Sequence, residues 1–121
     1  MSVCSVDVPG GGEPLFAMPP KTEAALRVAV RRLDPAAAVE FEREFHAAWE
    51  EAVQSDSTVP MHTFLHRWAV FVALHRYPAR SARVRELERV VGRAESRDEA
   101  REAAAEVGDL LAAAVAEVSA E

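Results

Sequence analysis

Two histidines, His62 and His66, have the spacing in this chain that best suits a metal site. Four residues apart on a helix, both imidazoles would lie on one face, where they could bind the same metal ion. The segment reads His-Thr-Phe-Leu-His, so it lacks the glutamate of the zinc-protease helix, and a third ligand is not evident nearby. We therefore predict no metal ion and no other cofactor, and we interpret one histidine as a surface residue and the other as a packing residue.

The remaining candidates for catalysis also lack the surroundings that their chemistry needs. No serine or cysteine stands in a recognised nucleophile motif. Cys4 is the single cysteine, in a segment rich in proline and glycine where nothing would activate its thiol. The Gly10-Gly11-Gly12 run lacks both the lysine and the preceding strand of a phosphate loop. The sequence therefore predicts that this protein is not an enzyme.

A row of arginines could contact phosphate groups instead. Arg85, Arg89 and Arg93 are spaced four residues apart, so they would lie along one side of a helix, provided that the helix continues past Gly92. Such a row can bind the backbone of a nucleic acid. Glu86 and Glu88 are local partners for these charges, and an ordinary solvated helix face is the simpler interpretation. A nucleic-acid-binding transcriptional regulator that uses these three arginines is the alternative function.

Acidic residues outnumber basic ones, and the two kinds are segregated. The net charge is −6. Residues 64–93 contain seven arginines and two glutamates, whereas residues 95–121 contain eight acids and two arginines. The basic and acidic segments could pair with each other or present two faces to partners, and internal pairing is the commoner arrangement. The overall negative charge disfavours binding of nucleic acid by the surface as a whole.

Size and composition suit one helical domain with a thin core. The chain has 121 residues, of which 50% are hydrophobic but only 7% aromatic. Alanine supplies much of the apolar count and buries little area per residue, so a homodimer that shares core surface would relieve the shortage. A lone cysteine and the lack of any uninterrupted apolar run of about 18 residues predict a cytoplasmic protein without a membrane span.

Proline and glycine are dense near the start of the chain, so residues 1–20 are predicted to form a disordered arm and residues 21–121 a helical domain. Leu15, Phe16 and Met18 make an apolar patch in this arm. We expect the patch to fold back on the helical core, and a short docking motif is the alternative. No segment alternates with a period of two, so no sheet is expected.

Start and stop signals divide the rest of the chain into five helices. The expected spans are about 22–33, 35–53, 60–76, 79–91 and 97 onward. These spans rest on N-caps, on prolines at the first helical position and on glycine at a helix end. The signals are Asp34-Pro35, Pro60 and the capping box Ser96-x-x-Glu99 at helix starts, and Tyr77-Pro78 and Gly92 at helix ends.

Apolar side chains recur at helical spacing on every predicted helix. Trp49 and Trp68 fall on such stripes, so both are predicted to anchor the core. The third helix is apolar around much of its circumference, which predicts a central position. The fifth helix is rich in alanine, and its expected buried stripe includes Leu111 and Val115. The predicted fold is all-α, a bundle-like single domain of four to five helices with a disordered N-terminal arm.

About half of the chain, from Leu33 to Arg89, carries a series of motifs that resembles a known family of proteins. The motifs are Leu33-Asp34-Pro35, Phe41-Glu42-x-Glu44-Phe45, Ala48, Ala52, Pro60, Phe64-Leu65-x-x-Trp68 and Arg76-x-Pro78. This pattern resembles a family of small, uncharacterised actinobacterial helical proteins, some of which look like antitoxin-type partners encoded beside small ribonuclease-like toxins. The resemblance implies a helical fold and brings no catalytic residues with it.

The acidic helices suggest a function in protein binding. We expect a non-enzymatic protein–protein interaction module, in which acidic helix faces cover a basic partner such as a small basic toxin, in the manner of an antitoxin. Charge complementarity of this kind would act by occluding the partner's own basic surface. The residues expected to bind the partner are Glu40, Glu44, Glu51, Glu99, Glu102 and Glu106.

Overall fold

Five α-helices make up the computed structural model, which describes residues 12–119. No strand occurs in that range, so the all-α prediction is confirmed. The expectations for Cys4 and for Gly10-Gly11 lie outside the described residues. The helices are α1 (Glu23–Leu33), α2 (Pro35–Ser55), α3 (Val59–His75), α4 (Pro78–Arg93) and α5 (Arg97–Ser119).

A single aspartate joins α1 to α2. The backbone N–H of Asp34 donates to the carbonyl of Val30 at 2.9 Å, which closes the last turn of α1. Its side-chain Oδ1 accepts from the N–H of Ala36 at 3.0 Å and so caps α2, while Pro35 fills the first helical position. One extended residue therefore ends one helix and begins the next, as the sequence predicted.

The ends of the other helices differ from the capping predictions at two places. Ser96 Oγ accepts from the N–H of Glu99 at 3.1 Å, but the Glu99 carboxylate accepts from the N–H of Glu95, one residue before the expected donor. The prediction that Gly92 caps α4 is wrong, because the helix continues to Arg93. Arg93 then lies on the helix and contacts Glu86, two turns earlier, at 3.8 Å.

The described residues form two compact units. The α1–α3 unit comprises Met18–Val72, and the α4–α5 unit comprises residues 12–17 together with residues 73–119. The prediction of one helical domain over residues 21–121 concerns the relation between these units, and it stays a prediction.

Aromatic side chains hold α2 against α3 in the α1–α3 unit. Phe41 lies edge-on to Phe64 and Trp68, with ring centroids 4.9 Å and 5.3 Å away. Phe45 also contacts Phe64, at 5.6 Å. Because later residues of α2 meet earlier residues of α3, the two helices run antiparallel. Phe41 is fully buried, and Leu26 and Val30 of α1 are buried as well.

The prediction that Trp49 anchors the core is wrong, because 56% of this side chain is exposed whereas Trp68 is 3% exposed. Eight residues after Phe41, Trp49 is rotated by about 80° around α2. That rotation carries the indole beyond the strip of α2 that α3 covers. Val53, one turn later, is exposed for the same reason.

Buried polar groups accompany the buried apolar side chains in the α4–α5 unit. Arg76 and Arg80 are 8% and 5% exposed, and both contact the carboxylate of Glu117 on α5, at 2.7 Å and 3.7 Å. The Arg76 guanidinium also donates to the carbonyl of Phe16 at 3.0 Å, and the Arg76 carbonyl accepts from the N–H of Leu15. The start of the described chain is thereby fastened within this unit.

The buried stripe of α5 is narrower than the sequence predicts. Ala103, Ala114 and Val118 are buried, but Leu111 and Val115 are about two-fifths exposed. Successive residues of a helix are rotated by about 100°, so Val115 points well away from Ala114. Within its unit α5 is therefore held by small apolar contacts and by ion pairs.

Replacing Phe41 by alanine should lower the free energy of unfolding by about 3–5 kcal/mol, because it removes a buried ring from the aromatic cluster and leaves a cavity. Urea denaturation followed by circular dichroism measures this change. Trp49→Ala is the matched control and should cost less than about 1 kcal/mol, since exposed side chains contribute little. Equal losses for the two variants would contradict the assignment of the core.

Candidate interaction surfaces

The three predicted acids of the α1–α3 unit differ in their partners. Glu40 pairs with Arg43 one turn later at 2.8 Å. Glu44 is more tightly engaged, because it pairs with Arg67 and also accepts from the indole Nε1 of Trp68 at 3.1 Å. Glu51 is exposed and has no ion-pair partner among residues 12–119. Of the three, only Glu51 is therefore available to a partner without breaking an internal contact.

Two grooves lie on the surface of the α2–α3 hairpin. One, of about 340 Å³, is lined by Glu44, Glu51 and Arg67 together with apolar side chains that include Pro60 and Phe64. The other, of about 440 Å³, is bordered by the exposed Trp49 and by Val53. The remaining residues of this second groove, which we call the Trp49 groove, are Ala52, Asp56, Ser57, Thr58 and Met61.

Asp56 shapes the connection between α2 and α3. It adopts the left-handed conformation, with φ 54° and ψ 48°, and its N–H donates to the carbonyl of Ala52. Aspartate is one of the few residues other than glycine that tolerates this conformation. The turn leaves the Asp56 side chain exposed beside Trp49 and Val53, and no ion pair involving it occurs among residues 12–119.

The structure brings the three predicted acids of α5 together. Glu99, Glu102 and Glu106 line one groove of about 210 Å³ between α4 and α5, opposite Arg83. Arg83 binds Glu106 through both arms of its guanidinium, with Nε and Nη2 at 2.7 Å and 2.8 Å from the two carboxylate oxygens. Since Glu99 accepts from the backbone at the start of α5, only Glu102 has no ion-pair or hydrogen-bond partner among residues 12–119.

Ion pairs also shift the acidity of several glutamates. The hydrogen bonds that Arg83 donates hold the pKa of Glu106 below its usual range, and the nearby positive charge adds to this effect. Arg27 lowers the pKa of Glu42 in the same way, through a two-armed contact of 2.5 Å and 3.0 Å. The basic and acidic segments near the end of the chain thus pair partly with each other, as Arg83 and Glu106 show.

The arginine row of α4 is complete but partly occupied. Arg85, Arg89 and Arg93 are all exposed, and α4 extends far enough to include the third. Glu86 lies 2.6 Å from Arg89 and 3.8 Å from Arg93, and the hydrogen bond from Arg89 lowers the pKa of Glu86. Arg85 has no ion-pair partner in the described part of the chain.

His62 and His66 are both exposed, so the expectation that one of them packs against a neighbouring helix is wrong. Within residues 12–119 no group of three or more histidine, cysteine, aspartate or glutamate side chains is placed to hold a metal ion. In the same range no helix is long and apolar enough to cross a membrane.

Comparisons with protein-family models, with curated proteins and with solved structures found no match. The resemblance to the actinobacterial helical family therefore stays a prediction. What this chain binds has to be argued from the surfaces described above.

Sequence reasoning missed the exposed apolar side chains at the α2–α3 end. Trp49, Val53 and Val59 are 56%, 62% and 65% exposed. A signal was present, because α2 carries apolar residues around a wide part of its circumference. The prediction instead followed the general tendency of a tryptophan on an apolar stripe to be buried.

Removing the Arg83 charge should return the pKa of Glu106 toward the ordinary glutamate value. Because the pairing lowers that pKa in the folded state, its contribution to stability is present above the unfolded-state pKa and is lost as the pH falls through the folded-state pKa. A pH titration of the side-chain carboxyl carbons by NMR compares Arg83→Gln with the parent protein. Glu42, which pairs with Arg27, is the internal control and should keep its lowered pKa.

Proposed function

We propose that this protein is a non-enzymatic, cytoplasmic interaction module that binds a basic protein partner through acids on its helix surfaces, as an antitoxin-like neutraliser would. The observation that carries the proposal is the state of Glu51 and Glu102. Both are exposed, both border grooves, and neither is paired among residues 12–119. An unpaired carboxylate on a groove rim can bind an incoming lysine or arginine without first losing an internal partner.

Internal pairing narrows the predicted set of partner-binding acids. Glu44 and Glu106 are held by Arg67 and Arg83, and Glu40 by Arg43. A partner would have to displace these arginines before it reached the carboxylates. The proposal therefore gives the leading role to Glu51 and Glu102 and assigns the other acids to a general negative field that favours encounter with a cation.

Purification from the native source at low salt tests the proposal directly. We expect a small basic protein at near-equal stoichiometry, identified by mass spectrometry and released as the salt concentration rises. Glu51→Lys should weaken retention of that partner about tenfold, since it replaces attraction by repulsion at the groove rim. Glu88→Lys is the matched control: it reverses an exposed acid outside the predicted set and should leave retention unchanged.

Two results would contradict the proposal. One is a protein that purifies with no basic partner at any salt concentration. The other is a partner retained equally by the Glu51→Lys and Glu88→Lys variants, because retention would then not depend on the unpaired acid. Co-purifying DNA or RNA that salt releases would favour the second candidate below.

A nucleic-acid-binding regulator is the second candidate, and the length of α4 favours it. The helix continues through Gly92, so Arg85, Arg89 and Arg93 share one exposed row. Phosphate contacts by such a row position a protein on DNA without reading its sequence. Glu86 opposes this function, because it neutralises part of the row.

For this second candidate, the Arg89→Glu variant should lose salt-sensitive DNA binding, measured by fluorescence anisotropy with a labelled duplex. In the parent protein the logarithm of the binding constant should fall linearly with the logarithm of salt concentration. Arg101→Glu, an exposed arginine on α5, is the control. DNA binding that is absent, or that does not respond to salt, excludes the regulator.

A further inference from the structure

The Trp49 groove combines an apolar surface with a lone acid. Trp49 and Val53 border it from α2, and Met61 borders it from the first turn of α3. Trp49 and Val53 expose more than half of their surface and line the same groove, and neighbouring exposed apolar side chains, unlike single ones, mark a candidate contact surface. Tryptophan is also the residue type most enriched among side chains that dominate binding energy at protein interfaces.

In the described part of the chain, the one charged side chain that lines this groove is the acid Asp56. Residues 44–66 contain four acids and neither lysine nor arginine, although the whole chain has 14 of these basic residues. Glu44 is paired with Arg67, and Glu50 lies 3.4 Å from His46. Asp56, which lines the groove itself, has no ion-pair partner among residues 12–119. An occupant with positive charge would supply the missing counter-charge.

This charge pattern discriminates between the two simplest occupants. A second copy of the chain, docked groove to groove, would bring two Asp56 carboxylates into the same interface, where like charges repel. A cationic partner meets the same acids with attraction. The groove lies where α2 ends and α3 begins, and its exposed Trp49 and Val53 stand one turn apart on α2, a spacing that the apolar face of an amphipathic helix can follow.

We infer that the Trp49 groove is the docking site for an amphipathic, basic helix of a partner protein. An apolar side chain of that helix packs against Trp49 and Val53, and a lysine or arginine pairs with Asp56. This inference rests on the proposed function and deepens it, since it names the surface and the kind of partner segment that it fits.

A designed peptide tests the groove without the native partner. The probe is an 18-residue helical peptide of leucine and lysine with its leucines on one face, and its counterpart has glutamate in place of lysine. Binding to the full chain is measured by anisotropy of the labelled peptide and by tryptophan emission. Because Trp68 is buried, a blue shift and loss of acrylamide quenching on binding should come from Trp49, and Trp49→Phe should abolish both.

Four substitutions define the expected result. Trp49→Ala should weaken binding of the lysine peptide about thirtyfold, and Val53→Ser about fivefold or more, as for interface anchors. Asp56→Asn keeps a residue that tolerates the left-handed turn and removes the charge, so it should weaken binding about two- to fivefold. Val28→Ser changes an equally exposed valine on α1 and should have no effect.

Several outcomes overturn the inference. Equal binding of the lysine and glutamate peptides would show that the groove does not select a basic helix. Unchanged binding by Trp49→Ala would show that the peptide does not bind at Trp49. A concentration-dependent increase in mass with burial of Trp49 and no peptide present assigns the groove to a second copy. If a native basic partner is retained equally by the parent and by Trp49→Ala, the groove is wrong but the proposed function stands. If the groove binds the lysine peptide but no native basic partner exists, the groove is right and the proposed function is wrong.

Discussion

Two buried arginines connect the distant segments of the α4–α5 unit. Arg76 and Arg80 share the single carboxylate of Glu117, and both guanidinium groups lie near the ring of Tyr77, at 4.8 Å and 4.4 Å from its centroid. A cation over an aromatic ring is partly compensated for the water it loses. The Nε atoms of both arginines are buried without an acceptor among residues 12–119, so compensation is incomplete.

This arrangement holds distant parts of the chain in a defined position, but its net contribution to stability is small. Removing one partner of a buried ion pair typically costs about 3–5 kcal/mol, whereas replacing the whole pair by apolar groups is often neutral. Here the arginines fix the last turn of α5 through Glu117 and the start of the described chain through the carbonyl of Phe16. Alanine-rich α5 offers little apolar area for the same task.

The α1–α3 unit is packed differently, although bulky side chains are scarce along the whole chain. It concentrates its aromatic residues where α2 crosses α3, around the fully buried Phe41. As a consequence, no other side chains of this unit fully cover the apolar residues at the far end of the hairpin, where Trp49, Val53 and Val59 remain exposed. This exposed apolar surface follows from the small number of bulky side chains, since the side chains that the core leaves uncovered remain accessible.

Internal ion pairs already engage much of the acidic charge on the helix surfaces. Counting acids along α2 and α5 gives an impression of two broad negative faces. The contacts of Arg43, Arg67 and Arg83 show that much of this charge is balanced internally. What remains for a partner is small and local: Glu51, Glu102 and Asp56, each beside a groove.

The sequence by itself determined the five helices and most of their ends, because capping is local. Asp34, Pro35 and Ser96 act within four residues of their own positions, so their effect needs no knowledge of the fold. Gly92 misled because glycine is compatible with a helix end but does not require one. The predicted acids and the arginine row could likewise be placed on helix surfaces from their spacing alone.

Only the tertiary structure decided which side chains are covered and which charges are paired. Trp49 and Phe41 lie on one apolar stripe of α2, yet only the residue facing α3 is buried. Arg83 and Glu106 are 23 residues apart, and their pairing depends on how α4 lies against α5. Helical periodicity gives the direction of a side chain around its own axis. What stands opposite that side chain depends on contacts between residues far apart in the sequence, and these decide its burial and its charge partner.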